Sequence, residues 1–141
     1  QPGMFAMPTV LAEFTDLPGT QAAVGRSGGH VVVADRPEGA AGGAGLGFNG
    51  AQLLALALGA CLCNDLRYLA QRRGVAIAAL SVRVALQLDG DPVVATSAEL
   101  TVDCRLADGS PGLALIDEAR GNSMVALTLA RGIPVTITPQ A

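Results

Sequence analysis

The chain has no tryptophan, one tyrosine and three phenylalanines among its 141 residues, and its formal net charge is -3. Nucleic-acid binding needs a basic stripe and, for single strands, aromatic rings on which bases stack, so this class of partner is excluded. Charge of either sign is also scarce, at 15% of residues against 50% hydrophobic. So little polar surface predicts that part of the apolar surface is covered by another subunit, hence a homo-oligomer. Cysteine comes in an odd number, three, which cannot all pair within one chain. No basic-plus-apolar segment with a small-residue cleavage site opens the sequence, so reduced thiols and a cytoplasmic setting are expected. Gln1 to Gly3, ahead of Met4, read as a cloning remnant.

A membrane-length apolar run is lacking too. Leu53 to Cys63 is eleven residues, where a span needs about 20. A buried core helix is therefore expected, and no membrane partner. No internal repeat and no linker interrupts the chain, and its length suits one core, so residues 1–141 are expected to form a single domain.

Three β-leaning runs come first, "TVLAEF" from Thr9, "TQAAVGR" from Thr20 and "HVVVAD" from His30, separated by proline and glycine, and they predict an antiparallel meander. The following "RPEGAAGGAGLG" predicts a flexible loop. Asn49 can then cap a helix, with Gln52 completing a capping-box-like pair, and Gly74 after Arg72 and Arg73 is a stop signal. The resulting helix is about 24 residues and about 36 Å long, apolar all round in its first half and amphipathic in its second, as a central buried strut would be. Beyond it, Val82, Val84, Leu86 and Leu88 alternate on one face, and Ala98, Leu100, Val102 and Cys104 on the facing one, around a turn at Gly90 to Pro92. This predicts a hairpin half-buried on the helix. Ser110 as cap and Pro111 in first helical position predict a second helix ending before Gly121; Ser123 to Arg131 predicts a third, and "IPVTIT" a last strand. The whole is α+β, with antiparallel sheets packed on a long central helix.

Gly45, Gly47 and Gly50 satisfy GxGxxG just before that helix. The dinucleotide motif, however, sits in a tight turn directly after a parallel strand; here about ten residues separate the strand from the first glycine and an antiparallel hairpin follows. No cofactor is expected. Cys61 and Cys63, at i and i+2 on a helix, form no easy disulfide, and without a third and fourth ligand they make a poor zinc signal, so no metal is expected either.

A cysteine in an apolar helix is usually a small core residue. Cys61 lies some twelve residues inside the helix, beyond the reach of its N-terminal dipole, so activation needs a cation from elsewhere. Its neighbours at i+3, i+4 and i+7 are Asn64, Asp65 and Tyr68, a polar face able to reach a cleft, although Asp65 if close would disfavour a thiolate. Cys104, alternating inward with Leu100 and Val102, reads as an inert core thiol.

The arrangement as a whole resembles the OsmC/Ohr family of small thiol-dependent peroxidases. The resemblance is carried by "GRSG" at Gly25 to Gly28, "HVVVADRPEGAAGGAGLGFNGAQLL" leading into the helix, "LALGACL" around its cysteine, "RRGVAIAALSVRV" and "LARGIPVTI". It implies an intertwined homodimer with central helices between two sheets and active sites at the subunit interface. It also implies Cys61 as the peroxidatic cysteine and Arg26 as the thiolate-stabilising arginine, with an organic hydroperoxide as substrate. The family's helix-opening glutamate is replaced by Ala51 and its resolving cysteine by Ser123. The chain thus looks like a divergent member, with Asp65 or Glu38 as the substitute carboxylate and Cys63 or an external dithiol as the resolving thiol. His30 matches a position seen in the OsmC-like branch, yet a lone histidine at a strand start is, in proteins generally, more often structural. The other reading is a non-catalytic dimer whose interface pocket binds an apolar small molecule, with Cys61 merely lining it.

Overall fold

In the computed structural model residues 8–140 are described; Gln1 to Gly3, read above as a cloning remnant, lie outside them. The chain divides into two compact units, Gln1–Leu53 and Leu54–Ala141.

In the first unit β1 (Glu13–Asp16), β2 (Ala23–Ser27) and β3 (His30–Ala34) form an antiparallel meander in the order β1-β2-β3, as the punctuated β-runs predict. The first strand starts later than its sequence run. Phe14 pairs with Gly25 and Gly25 with Val32, and a Cβ on Gly25 would come within 2.5 Å of the Phe14 ring. The glycine thus lets the aromatic ring lie directly on the sheet.

The loop after β3 is not the flexible segment expected. It is wound back on itself by the backbone bonds Ala40 N–H to Pro37 C=O, Gly43 N–H to Ala40 C=O and Gly45 N–H to Arg36 C=O, and its end lies parallel to β3 through an Ala34–Phe48 bridge. Five glycines in residues 36–48 had suggested chain entropy. At two of them the reason is space: a Cβ on Gly43 would come 2.5 Å from the Arg36 carbonyl oxygen, and one on Gly47 would overlap that of Val33.

The helix α1 runs Gly50–Arg73 over 24 residues. Its capping box is made: the Gln52 N–H donates to Asn49 Oδ1 at 2.8 Å and the Asn49 N–H to Gln52 Oε1 at 3.0 Å. Gly74, at φ 67°, takes the left-handed conformation that ends it. By length and hydropathy alone α1 could cross a membrane, but one such helix is weak evidence, and Leu62, Leu66, Leu69 and Ala70 belong to the chain's own core cluster. Burial along α1 is one-sided: its buried residues are Leu58, Leu62, Leu66, Leu69 and Ala70, while Leu56 is 50% exposed. Within a single chain, then, the strut has no buried residue before Leu58.

In the second unit β4 (Ile77–Asp89) and β5 (Val94–Leu106) form the expected hairpin, with Val82 opposite Val102, Val84 opposite Leu100 and Leu86 opposite Ala98. The inward row Leu80, Val82, Leu100 and Val102 packs on the core of α1 and α2 (Leu113–Arg120). Ser110 does not cap α2. Its hydroxyl donates to Asp108 at 2.6 Å, the Leu106 N–H is held by its carbonyl and the Gly112 N–H by that of Cys104. Residues 110–112 are drawn into the β5 ladder, so the helix begins at Leu113 behind Gly112. The hydroxyl and N–H of Ser110 hold the Asp108 carboxyl below its ordinary value. The third helix, α3 (Met124–Arg131), starts after Ser123 as predicted and has no buried residue.

The last strand is absent among the described residues: residues 132–140 adopt no strand. Ile133, Val135 and Ile137 keep the alternation that predicts one but stand 62%, 79% and 94% exposed. An alternating pattern becomes a strand only when an edge accepts its N–H and C=O groups, and no strand among the described residues pairs with it. Leaving three such side chains in water forgoes about 1.5–3 kcal/mol each.

Candidate functional site

Cys61 is half-buried in α1. Its Sγ donates to Asp65 Oδ2 at 3.6 Å, one helical turn on, a distance suited to a weak sulfur donor. The i, i+4 spacing that raised this contact in the sequence is realised. Because the partner is a carboxylate, any cation that activates the thiol must be supplied by another residue. Cys63, two residues on, is also half-buried. Cys104 is 3% exposed in the core. Burial pushes its thiol above the ordinary value, Arg67 pulls it back in part and Asp103 pushes it up again. A Cβ on Gly112 would press within 2.8 Å of its sulfur, a packing that suits the inert thiol expected there.

Arg26 lies on β2 in the first unit, so the two sequence-predicted site residues belong to different units. Its side chain is exposed and donates to Thr15 Oγ1 at 3.4 Å. In the β1–β2 register Arg26 faces Glu13, so an acidic cross-strand neighbour lies on the same face of the sheet. That pairing could not be foreseen, because the register of two short strands is fixed by the turn between them. His30, first residue of β3, is exposed and faces Ser27 across the turn. Leu11, Glu13, Arg26, His30 and Val31 contribute to an open groove of about 650 Å³ at this end of the sheet. Ala51 is the second residue of α1 and carries no carboxylate, and Ser123 is 4% exposed at the start of α3. Among the described residues no cluster of His, Cys, Asp and Glu is arranged to hold a metal.

One buried acid went unremarked in the sequence. The Asp35 side chain is 1% exposed. Its Oδ2 accepts the N–H groups of Ala44 at 3.1 Å and Leu46 at 3.0 Å, and its Oδ1 accepts the N–H of Arg36 at 2.8 Å and its guanidinium at 3.3 Å. The Leu46 bond lowers its pKa most; burial pushes it up, but the bonds from Ala44 and Arg36 and the Arg36 charge lower it again, so the carboxyl stays below its ordinary value. The available signal was an acid ending a valine run just before a loop rich in free N–H groups.

Comparison with curated proteins gave no match. Among solved structures the chain is similar to an OsmC-like protein of Mycoplasma pneumoniae, with TM-score 0.71, 16% identity and 89% of each chain covered. An OsmC-like protein of Vibrio cholerae gives TM-score 0.71 and 14% identity over 86% of this chain and 94% of that one. An organic hydroperoxide resistance protein OsmC of Legionella pneumophila gives 0.61 and 19% over 88% and 90%. These likenesses establish a shared α+β fold of antiparallel sheets and a long helix. The family model for OsmC-like protein matches residues 42–138, from the wound loop through α1 and Cys61 to the C-terminal segment, leaving Arg26 outside. With more than half of its length so matched, the chain belongs to the OsmC-like family.

Proposed function

We propose that the protein is a thiol-dependent peroxidase that reduces organic hydroperoxides through Cys61. The observation that carries this reading is a half-buried thiol with a polar partner, midway along α1 and inside the segment matched by the family model. The hydroperoxide resistance named for the Legionella relative agrees with it. In the reaction the Cys61 thiolate attacks the distal peroxide oxygen. An S–O bond forms, the O–O bond breaks, and the alkoxide leaves as an alcohol after taking a proton; the sulfur is oxidised by two electrons to a sulfenic acid. Arg26 supplies the guanidinium that favours the thiolate and donates to the peroxide oxygens. Ser123 has no thiol with which to resolve the sulfenic acid, so an external dithiol does so: its first sulfur displaces water to give a mixed disulfide, and its second releases Cys61 as thiol. Purified protein given cumene hydroperoxide and dithiothreitol is expected to consume peroxide catalytically, and Arg26→Gln to slow the reaction on the order of tenfold or more. Protein no more active than buffer would contradict the reading.

One observation favours a second reading, a non-catalytic protein that binds an apolar small molecule beside Cys61: the thiol's hydrogen-bond partner is the Asp65 carboxylate rather than a cation. Inert wild type would hand the function to that reading.

The acting species is a homodimer. The exposed row Ile133, Val135 and Ile137 and a third helix without a buried residue support this. Light scattering is expected to give twice the chain mass, and Val135→Lys with Ile137→Lys to shift the protein towards the monomer; a wild-type monomer at micromolar concentration would contradict it.

A further inference from the structure

We propose that Asp35 is the key of a charge-dependent clasp: its carboxylate holds residues 36–48 in one wound conformation, and the clasp opens when that charge is removed. The inference is independent of the peroxidase reading.

The geometry carries it. The carboxylate, all but closed off from solvent, gathers three backbone N–H groups from positions one, nine and eleven residues further along the chain. A single side chain thus ties both ends of the loop. Its own N–H is taken by Phe48, and the Phe48 N–H by Val33, so the returning strand closes over the same acid. Arg36, besides pairing with Asp35, donates to the Gln21 carbonyl of the β1–β2 connection, fastening the clasp to the sheet. Ala41 is held at φ 47°, a left-handed conformation that a residue with a Cβ keeps only when its surroundings fix it. Gly43 and Gly47 lie against backbone where a Cβ has no room, so the chain turns back on itself closely at both positions.

Neutralising the acid breaks this arrangement for a chemical reason. Oδ2 serves two N–H donors at once. Protonation places a hydrogen on one carboxyl oxygen, and amidation replaces one oxygen with a donor, so the three N–H groups that converge on Asp35 lose acceptor capacity. Arg36 is the charged group that faces Asp35 within 4 Å. Glu38 is the other ionisable residue in the clasp, its backbone and Cβ lying beside Gly45, and Gln21 on the neighbouring connection is uncharged.

The test is residue-resolved NMR on the intact chain. In the wild type, the amide proton shifts of Arg36, Ala44 and Leu46 should move together through one midpoint as the sample is acidified, with exchange across residues 37–48 accelerating in the same interval. In Asp35→Asn at neutral pH, the amides of Ala44 and Leu46 should exchange at least tenfold faster while those of the β4–β5 hairpin keep their rates. Unaltered Ala44 and Leu46 exchange in a folded Asp35→Asn protein would overturn the proposal. Should that variant unfold altogether, the wild-type titration decides: three amides with unrelated midpoints, or none before global unfolding, would overturn it equally.

Discussion

Cys61→Ser should lower the catalytic rate with cumene hydroperoxide by a factor on the order of a thousand or more, leaving only what the uncatalysed thiol reductant achieves. A serine hydroxyl in that position cannot form the sulfenic acid on which turnover depends, whatever the quality of the surrounding site. Cys104→Ala should keep the rate within a few-fold, because that residue is 3% exposed and burial raises the pKa of its thiol. The pair of variants separates a catalytic thiol from a general effect of removing cysteine. Equal loss in both would point to damaged packing, and equal retention would move the chemistry away from Cys61.

Leu66→Ala is the substitution expected to cost most in stability. Leu66 is fully buried, with Leu62, Leu69 and Ala70 of α1, Leu115 and Ala119 of α2 and Cys104 of β5 in the same cluster. Removing a leucine from such a site costs about 2–5 kcal/mol, the transfer of the lost methyls plus the cavity left behind. For a chain of this size 3 kcal/mol corresponds to a fall in Tm on the order of 10 °C. Calorimetry or denaturant unfolding reads it directly. A loss below about 1 kcal/mol would mean that this cluster is not the core that holds α1 to the hairpin.

How legible each part was depended on the range of the interaction that fixes it. Asn49, Gln52 and Gly74 set the ends of α1 through contacts within one turn, so the helix could be read to the residue. The β4–β5 hairpin and its facing rows could be read as well, because two long alternating runs meet at a compact turn and a one-residue slip would turn Val82 and Val102 out of the core; Leu88, beyond a register shift after Gln87, leaves its row and is 48% exposed. Ser110 misled because a serine before a proline is equally suited to an Asp108 turn, and the choice was made by the β5 ladder. The glycine loop misled for a related reason: composition shows the freedom of a glycine but not the acid 1% exposed at its centre. "IPVTIT" reads as a strand and is not one in the single chain, since a strand needs an edge and the pattern cannot say whose. Of the site, the Cys61–Asp65 contact followed from helical spacing. The Glu13–Arg26 register did not, because it joins residues thirteen apart across a turn.

The most direct test of a reactive Cys61 is a mass-spectrometric trap: brief treatment with one equivalent of an organic hydroperoxide in the presence of a dimedone-type reagent, followed by peptide mapping. The adduct of a sulfenic acid should appear on Cys61 and not on Cys104, and its yield should fall when Arg26 is replaced by glutamine. A Cys61 peptide recovered unmodified, while the peroxide remains intact in solution, would contradict the account.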